Sequence, residues 1–242
     1  MKQARLPMLL SSLLLAASLA HAADDHGGPV SPKPYTPGVT LSKAVQASIT
    51  PEQAVKILQA GNQRFASGKS LKYDHKRHVR QTALGQFPFA SVVACIDSRS
   101  APEQVFDTGV GDIFTTRVAG ATVNEDMLGS LEYAAKVAGS RAIIVLGHTS
   151  CGAIKGACDN VEMGNLTGLL AKLKPAVEAT STSGERNSKN HRFVEDVTEM
   201  NVKLTVEKIR NNSAILKEME AAGQIKIVGA VYDTATGQVH WQ

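Results

Sequence analysis

The chain has 242 residues, 43% hydrophobic and 20% charged, with a formal net charge of +4 at pH 7. That length suits one globular domain with a full core, and the mild charge with only 5% aromatic residues gives no footing for a nucleic-acid partner. Three cysteines, Cys95, Cys151 and Cys158, are too few and too unevenly placed for a disulfide framework.

Residues 1–22, MKQARLPMLLSSLLLAASLAHA, carry Lys2 and Arg5, then an apolar stretch from Leu6 to Ala20 that closes on Ala20-His21-Ala22. This is the pattern of a cleaved secretory signal peptide; an uncleaved anchor is the alternative, though the run is short for a membrane span. The expected location is a bacterial periplasm, with no membrane span in the mature chain. Residues 23–45 read as a flexible Pro/Gly-rich leader, and residues 46–242 as a single domain.

Thr50-Pro51 opens a helix over 50–68. Thr50 caps it, Pro51 fits the first helical position, and Gln53 completes a capping box. Ala54, Ile57, Leu58 and Phe65 share one face. A second helix is expected over 74–84; its His75 and His78, among Lys72, Lys76, Arg77 and Arg80, read as a solvated face, with proton transfer the alternative. Short β-branched runs follow at 91–95, 112–118, 141–148 and 226–233, nearly continuous in the manner of strands covered on both faces. Helical patterns at 102–107, 124–138, 152–158, 165–173 and about 191–221 separate them, and 179–190 is a polar surface loop. The last run, 238–241, follows the turn DTATG and reads as an antiparallel edge strand. Strand alternating with helix predicts an α/β fold: a central, mostly parallel β-sheet with an antiparallel edge strand, flanked by helices.

In such sheets functional groups collect beyond the carboxyl ends of the strands. The first strand ends in Cys95-Ile96-Asp97-Ser98-Arg99, and the third in Gly147-His148-Thr149-Ser150-Cys151-Gly152. His148 and Cys151 are spaced to grip one metal ion, Cys95 is a third ligand from the neighbouring strand end, and Gly147 and Gly152 are expected to let the backbone turn. Two thiolates and one imidazole suit Zn²⁺, one per chain, and three protein ligands leave the fourth position open, as in catalytic sites. Asp97 can orient a water there, and Arg99 can hold Asp97 ionised through a bidentate pair. Two other readings stay open: a Cys95–Cys151 disulfide, and a closed zinc site with Asp97 as the fourth ligand.

CIDSR followed by GHTSCGA resembles the β-class carbonic anhydrases, whose zinc motifs are Cys-x-Asp-x-Arg and His-x-x-Cys. The likeness runs from about residue 50 to 240 and takes in GNQRF (61–65), PEQVFDTGVGDIF (102–114), GSLEYA (129–134), NV (201–202) and IVGAVYDTATG (227–237). The resemblance implies a zinc lyase interconverting CO2 and bicarbonate by attack of zinc-bound hydroxide. It implies Cys95, His148 and Cys151 as metal ligands and Asp97 with Arg99 as the catalytic dyad. Gln86, Phe114, Tyr133 and Gly152 fall at substrate-pocket positions, Gln86 reaching into a partner's pocket. An N-terminal helix packing on a dimer partner is also implied, the unit being a homodimer or a tetramer.

Two departures stand out. Many members read Arg-Asn-Ala-Gly-Asn where this chain reads Arg117-Val118-Ala119-Gly120-Ala121, so two amides are replaced by apolar side chains. Val92 stands where a subset with a noncatalytic bicarbonate site has tryptophan, so that site is expected to be lacking. A neutral site of zinc with two thiolates acidifies water less than one with three imidazoles, so activity is expected to rise toward alkaline pH. Alternatives on the same motifs are a sister hydrolase acting on CS2 and a noncatalytic zinc/bicarbonate-binding sensor. Cys158 reads as a small buried hydrophobe.

Overall fold

The computed structural model describes residues 35–242. The signal-peptide reading and the first part of the leader lie outside the described residues. Five apolar runs pair into one sheet in the order β2-β1-β3-β4-β5. The strands are β1 (Ala90–Ala94), β2 (Ile113–Arg117), β3 (Ala142–His148), β4 (Lys226–Tyr232) and β5 (Val239–Trp241). The first four are parallel and β5 returns antiparallel beside β4. Every residue of β1 and β3 is buried, as strands covered on both faces must be.

Alternation along β3 divides the core. Ile144 and Leu146 pack with Ala54, Leu58, Phe89 and Phe106 on one face. Ile143 and Val145 pack with Val202, Ile209 and Leu216 on the other. The first face is covered by α2 (Pro51–Ala66), where Thr50 Oγ1 accepts from the Gln53 N–H and Gln53 Oε1 from the Thr50 N–H, the expected capping box. The second face is covered by α9 (His191–Asn212) and α10 (Ala214–Ala221). The expected helix over 191–221 is therefore two. Ser213 ends α9 and caps α10: its Oγ accepts from the Leu216 N–H and donates to Glu132 Oε1.

The remaining helices are α1 (Lys43–Ser48), α3 (His75–Thr82), α4 (Pro102–Val105), α5 (Glu125–Glu132), α6 (Gly152–Cys158), α7 (Gly164–Ala171) and α8 (Lys174–Ala179). The sequence reading missed α1 and α8, both only six residues long. Helix α5 runs on into a π turn, Tyr133–Val137, closed by the Ala138 N–H on the Tyr133 carbonyl at 3.0 Å.

Two expectations need correcting. Within the leader assigned to 23–45, the described part is docked rather than loose: Tyr35 meets Phe89 edge-on at 5.6 Å, and Leu41 and Val45 pack on the core. His78 is fully buried instead of solvated, with Nε2 3.1 Å from the Gly38 carbonyl. A carbonyl only accepts, so Nε2 carries a hydrogen and the ring fastens the docked arm.

Candidate metal centre and active site

Strand β1 ends at Ala94 and delivers Cys95; β3 ends on His148 itself. Ser150, with φ +56°, makes the turn that brings Cys151 to the start of α6. Neither Gly147 nor Gly152 has the positive φ that the turn requires. Gly147 is needed for space instead, since a Cβ there would lie 2.6 Å from Val202 Cγ2. Cys95, His148 and Cys151 are 4%, 1% and 2% exposed, and their ligand atoms all lie within 4.8 Å of one another. Beyond these strand ends, Ile154, Leu173 and Phe193 close the corner from water.

The atoms fit a metal ion. His148 Nδ1 is 2.9 Å from the Thr149 carbonyl and therefore carries the hydrogen. Nε2 is left with a bare lone pair, buried and without a protein partner. The two sulfurs are 4.0 Å apart and unbonded, which removes the disulfide reading. The Cys95 thiol is pulled well below the usual range, first by the hydrogen bond from Cys151 and further by the Gly120 N–H, against the cost of burial. Cys151 is pushed up by its hydrogen bond and charge coupling to Cys95 and by burial, although the Ile154 and Ala153 N–H groups favour its thiolate. One thiolate thus forms readily and the second waits for a cation. Two sulfurs and an imidazole nitrogen are a zinc donor set.

Asp97 stands beside this corner, its Oδ2 3.8 Å from His148 Nε2. Arg99 holds it three ways: backbone N–H and Nε to Oδ1, both at 2.9 Å, and Nη2 to Oδ2 at 2.8 Å. These bonds keep the carboxyl far below the usual carboxylate range. Asp97 is committed to Arg99, and its carboxylate is not among the groups that converge on the corner. Arg117, which the sequence reading passed over, clamps the loop from beneath, donating to the carbonyls of Cys95 (2.8 Å) and Asp97 (2.7 Å). Its sequence signals are an arginine at the end of an apolar strand and its match to the arginine that opens the family's Arg-Asn-Ala-Gly-Asn stretch.

The predicted pocket residues divide. Gly152 is the exposed first residue of α6, with open space where a Cβ would point. Phe114 and Tyr133 meet edge-on at 6.4 Å in a cleft of about 710 Å³ along β2, and no ligand residue lines that cleft. Gln86 is exposed just before β1, at the opposite end of that strand from Cys95. Within one chain the structure does not bring Gln86 to the metal corner.

The carbonic anhydrase family model matches residues 90–239, which hold all three ligand residues and the Asp97–Arg99 pair. The chain belongs to the β-class carbonic anhydrases. Carbonic anhydrase 2 of Mycobacterium tuberculosis is 36% identical over 195 residues, 78% of this chain and 91% of the relative. Among solved structures, a Coccomyxa β-carbonic anhydrase in complex with acetazolamide superposes with a TM-score of 0.60 at 25% identity, covering 69% of this chain and 77% of that one. A tetrameric β-carbonic anhydrase from Sordaria macrospora shares the fold at 22% identity, with a TM-score of 0.60 over 75% of this chain and 93% of that one. As a β-carbonic anhydrase, the chain is a zinc enzyme for the reversible hydration of CO2 to bicarbonate and a proton.

Proposed function

We propose that hydration takes place at the corner where β1 and β3 end, with Cys95, His148 and Cys151 holding zinc and Asp97 with Arg99 as the working dyad. The observation that carries the assignment is the bare, buried Nε2 of His148 pointing among two thiols, 3.8 Å from a carboxylate locked by arginine. Zinc bound there supplies a Lewis acid that makes hydroxide available from water near neutral pH. Asp97 is held ionised, so its Oδ2 is a hydrogen-bond acceptor at all working pH values and orients the attacking oxygen. Arg99 fixes that carboxylate and keeps it from swinging inward. Arg117 holds the carbonyls on both sides of Ile96, which sets the spacing between ligand and dyad. The backbone N–H of Gly152, at the exposed first position of α6, can donate to a bicarbonate oxygen.

The assembly is a homodimer or a dimer of dimers. Among the described residues β2 has a neighbour on one side only. Leu84, Tyr133 and Val137, which are 104%, 53% and 71% exposed, are apolar surface for a second copy to cover. A partner's Gln86 then completes the pocket that one chain leaves open. Light scattering at micromolar concentration checks this; a monomer defeats it. The reading of residues 1–22 as a signal peptide supports a periplasmic location, to be tested by cell fractionation and N-terminal sequencing. Among the described residues no helix is long and apolar enough to cross a membrane.

The deciding experiment is stopped-flow CO2 hydration at alkaline pH by zinc-loaded protein beside Asp97→Asn. The variant should keep its zinc and lose about 10²- to 10⁴-fold in kcat, the span typical of a positioned acid–base group. Unchanged turnover in the variant defeats the dyad assignment.

A further inference from the structure

We propose that Asn201 is a positioning residue of the metal centre, acting on Cys95 through Gly120. The inference rests on the reading of Cys95 as a metal ligand and adds to it a side chain from the far helix α9. Asn201 is 4% exposed, and its Nδ2 donates to the Gly120 carbonyl at 2.7 Å. The Gly120 N–H in turn donates to Cys95 Sγ at 3.4 Å. Two hydrogen bonds therefore join helix, loop and sulfur in one line.

The loop needs that tether. Gly120 and Ala121 both have positive φ, +80° and +52°, a conformation that costs energy at any residue with a Cβ. Only glycine fits at 120, because a Cβ there would lie 2.7 Å from Leu173 Cδ1. Glycine also has the most freedom to rotate away. The stretch Arg117-Val118-Ala119-Gly120-Ala121 has no amide side chain with which to pin itself. Its internal closure is one turn, from the Ala121 N–H to the Val118 carbonyl at 2.9 Å. Helix α9 supplies the rest: Asn201 at Gly120 and Lys208 Nζ at the Val123 carbonyl, 2.8 Å away.

The chemical consequence falls on sulfur. An N–H aimed at a thiolate draws electron density from it, so less is donated to the metal and the metal stays a stronger Lewis acid. A Gly120 free to rotate no longer offers that donor.

Cobalt(II)-loaded protein reads this out without activity, through its sulfur-to-cobalt charge-transfer absorption. In Asn201→Leu the sulfur loses its donor and holds its electrons less tightly, so the band should move to lower energy. Zinc affinity, measured by competition with a chelator, should fall about 10- to 100-fold, because the loop no longer holds Cys95 in place toward its two co-ligands and that loss outweighs the stronger donation by the sulfur. Asn201→Ser, too short to reach Gly120, takes its place if the leucine variant fails to fold. Thr198→Val is the control: Thr198 is buried one turn earlier on α9 and bonds only the Val194 carbonyl. That variant should lose stability and leave the band where it is. A band and a zinc affinity unmoved by loss of Asn201, or moved equally by Thr198→Val, overturns the inference. A parent protein with no sulfur band at all would instead overturn the ligand reading of Cys95, and this inference with it.

Discussion

Both ends of the parallel strands bury groups that ionise, and the two ends use them differently. At the carboxyl end, two thiols and a bare imidazole nitrogen converge within 4.8 Å beside an arginine-locked carboxylate. At the amino end, Asp112 Oδ1, His78 Nδ1 and the Tyr35 hydroxyl are likewise buried and without protein partners. The difference lies in the donors: among the described residues, Cys95, His148 and Cys151 are the one group of three or more His, Cys, Asp or Glu side chains whose ligand atoms converge. The other atoms of the amino-end side chains hold chain segments together. His78 Nε2 holds the Gly38 carbonyl, and Asp112 Oδ2 accepts from the Gly109 N–H at 2.7 Å. A buried polar atom with no partner is thus a weak sign of chemistry. Three metal-donor side chains converging beside an exposed arginine–carboxylate pair is a strong one.

The contrast is broken most severely at the metal end. Cys151→Ala removes a ligand and should take CO2 hydration to the uncatalysed rate, with zinc per chain falling toward zero in elemental analysis. Asp112→Asn should change neither quantity; a large loss of turnover there would mean that the two ends are coupled.

The amino end should show instead in stability against pH. Burial raises the Asp112 carboxyl from its ordinary 3.8 to about 6, partly offset by the Gly109 N–H and by His78. Between those values the folded state holds the proton more tightly than the unfolded chain does. This contribution is therefore complete below pH 3.8 and is lost as pH rises to about 6. Its size is about 3 kcal/mol. Urea melts from pH 4 to 7 should show the parent losing stability relative to Asp112→Asn across that window; parallel curves would contradict the assignment.

The smallest effect is expected at Ala121, whose φ of +52° is strained for a residue with a Cβ. Ala121→Gly should raise stability by about 1 kcal/mol, measured by the same melts. A loss would mean that the alanine methyl packs better than its backbone suffers.

Much of this was legible in the sequence because it depends on neighbours along the chain. The Thr50–Gln53 capping box, the β-branched runs of β1 and β3, and the His148–Cys151 spacing are all local. Cys95 could be joined to them because parallel strands end on one side of the sheet. What the sequence hid depends on distant partners. Apolar periodicity runs through Ser213, and the break there is fixed by a hydroxyl that reaches Glu132, 81 positions away. Gly147 looked like a turn residue, but Val202 is what excludes a side chain there. His78 looked solvated among its basic neighbours until the arm at Gly38 covered it.

The π turn at Tyr133–Val137 has a further consequence. It accommodates one residue more than α-helical geometry would, just where Tyr133 faces Phe114. Deleting one of residues 134–137 would return the turn to regular α-helix with one side chain fewer. Because the wide turn already absorbs the extra residue, the helix on either side would keep its facing and Tyr133 its place opposite Phe114. A further inserted residue has no such slack and would turn the junction by about 100°. Within these five positions a single-residue deletion should be tolerated more readily than a single-residue insertion.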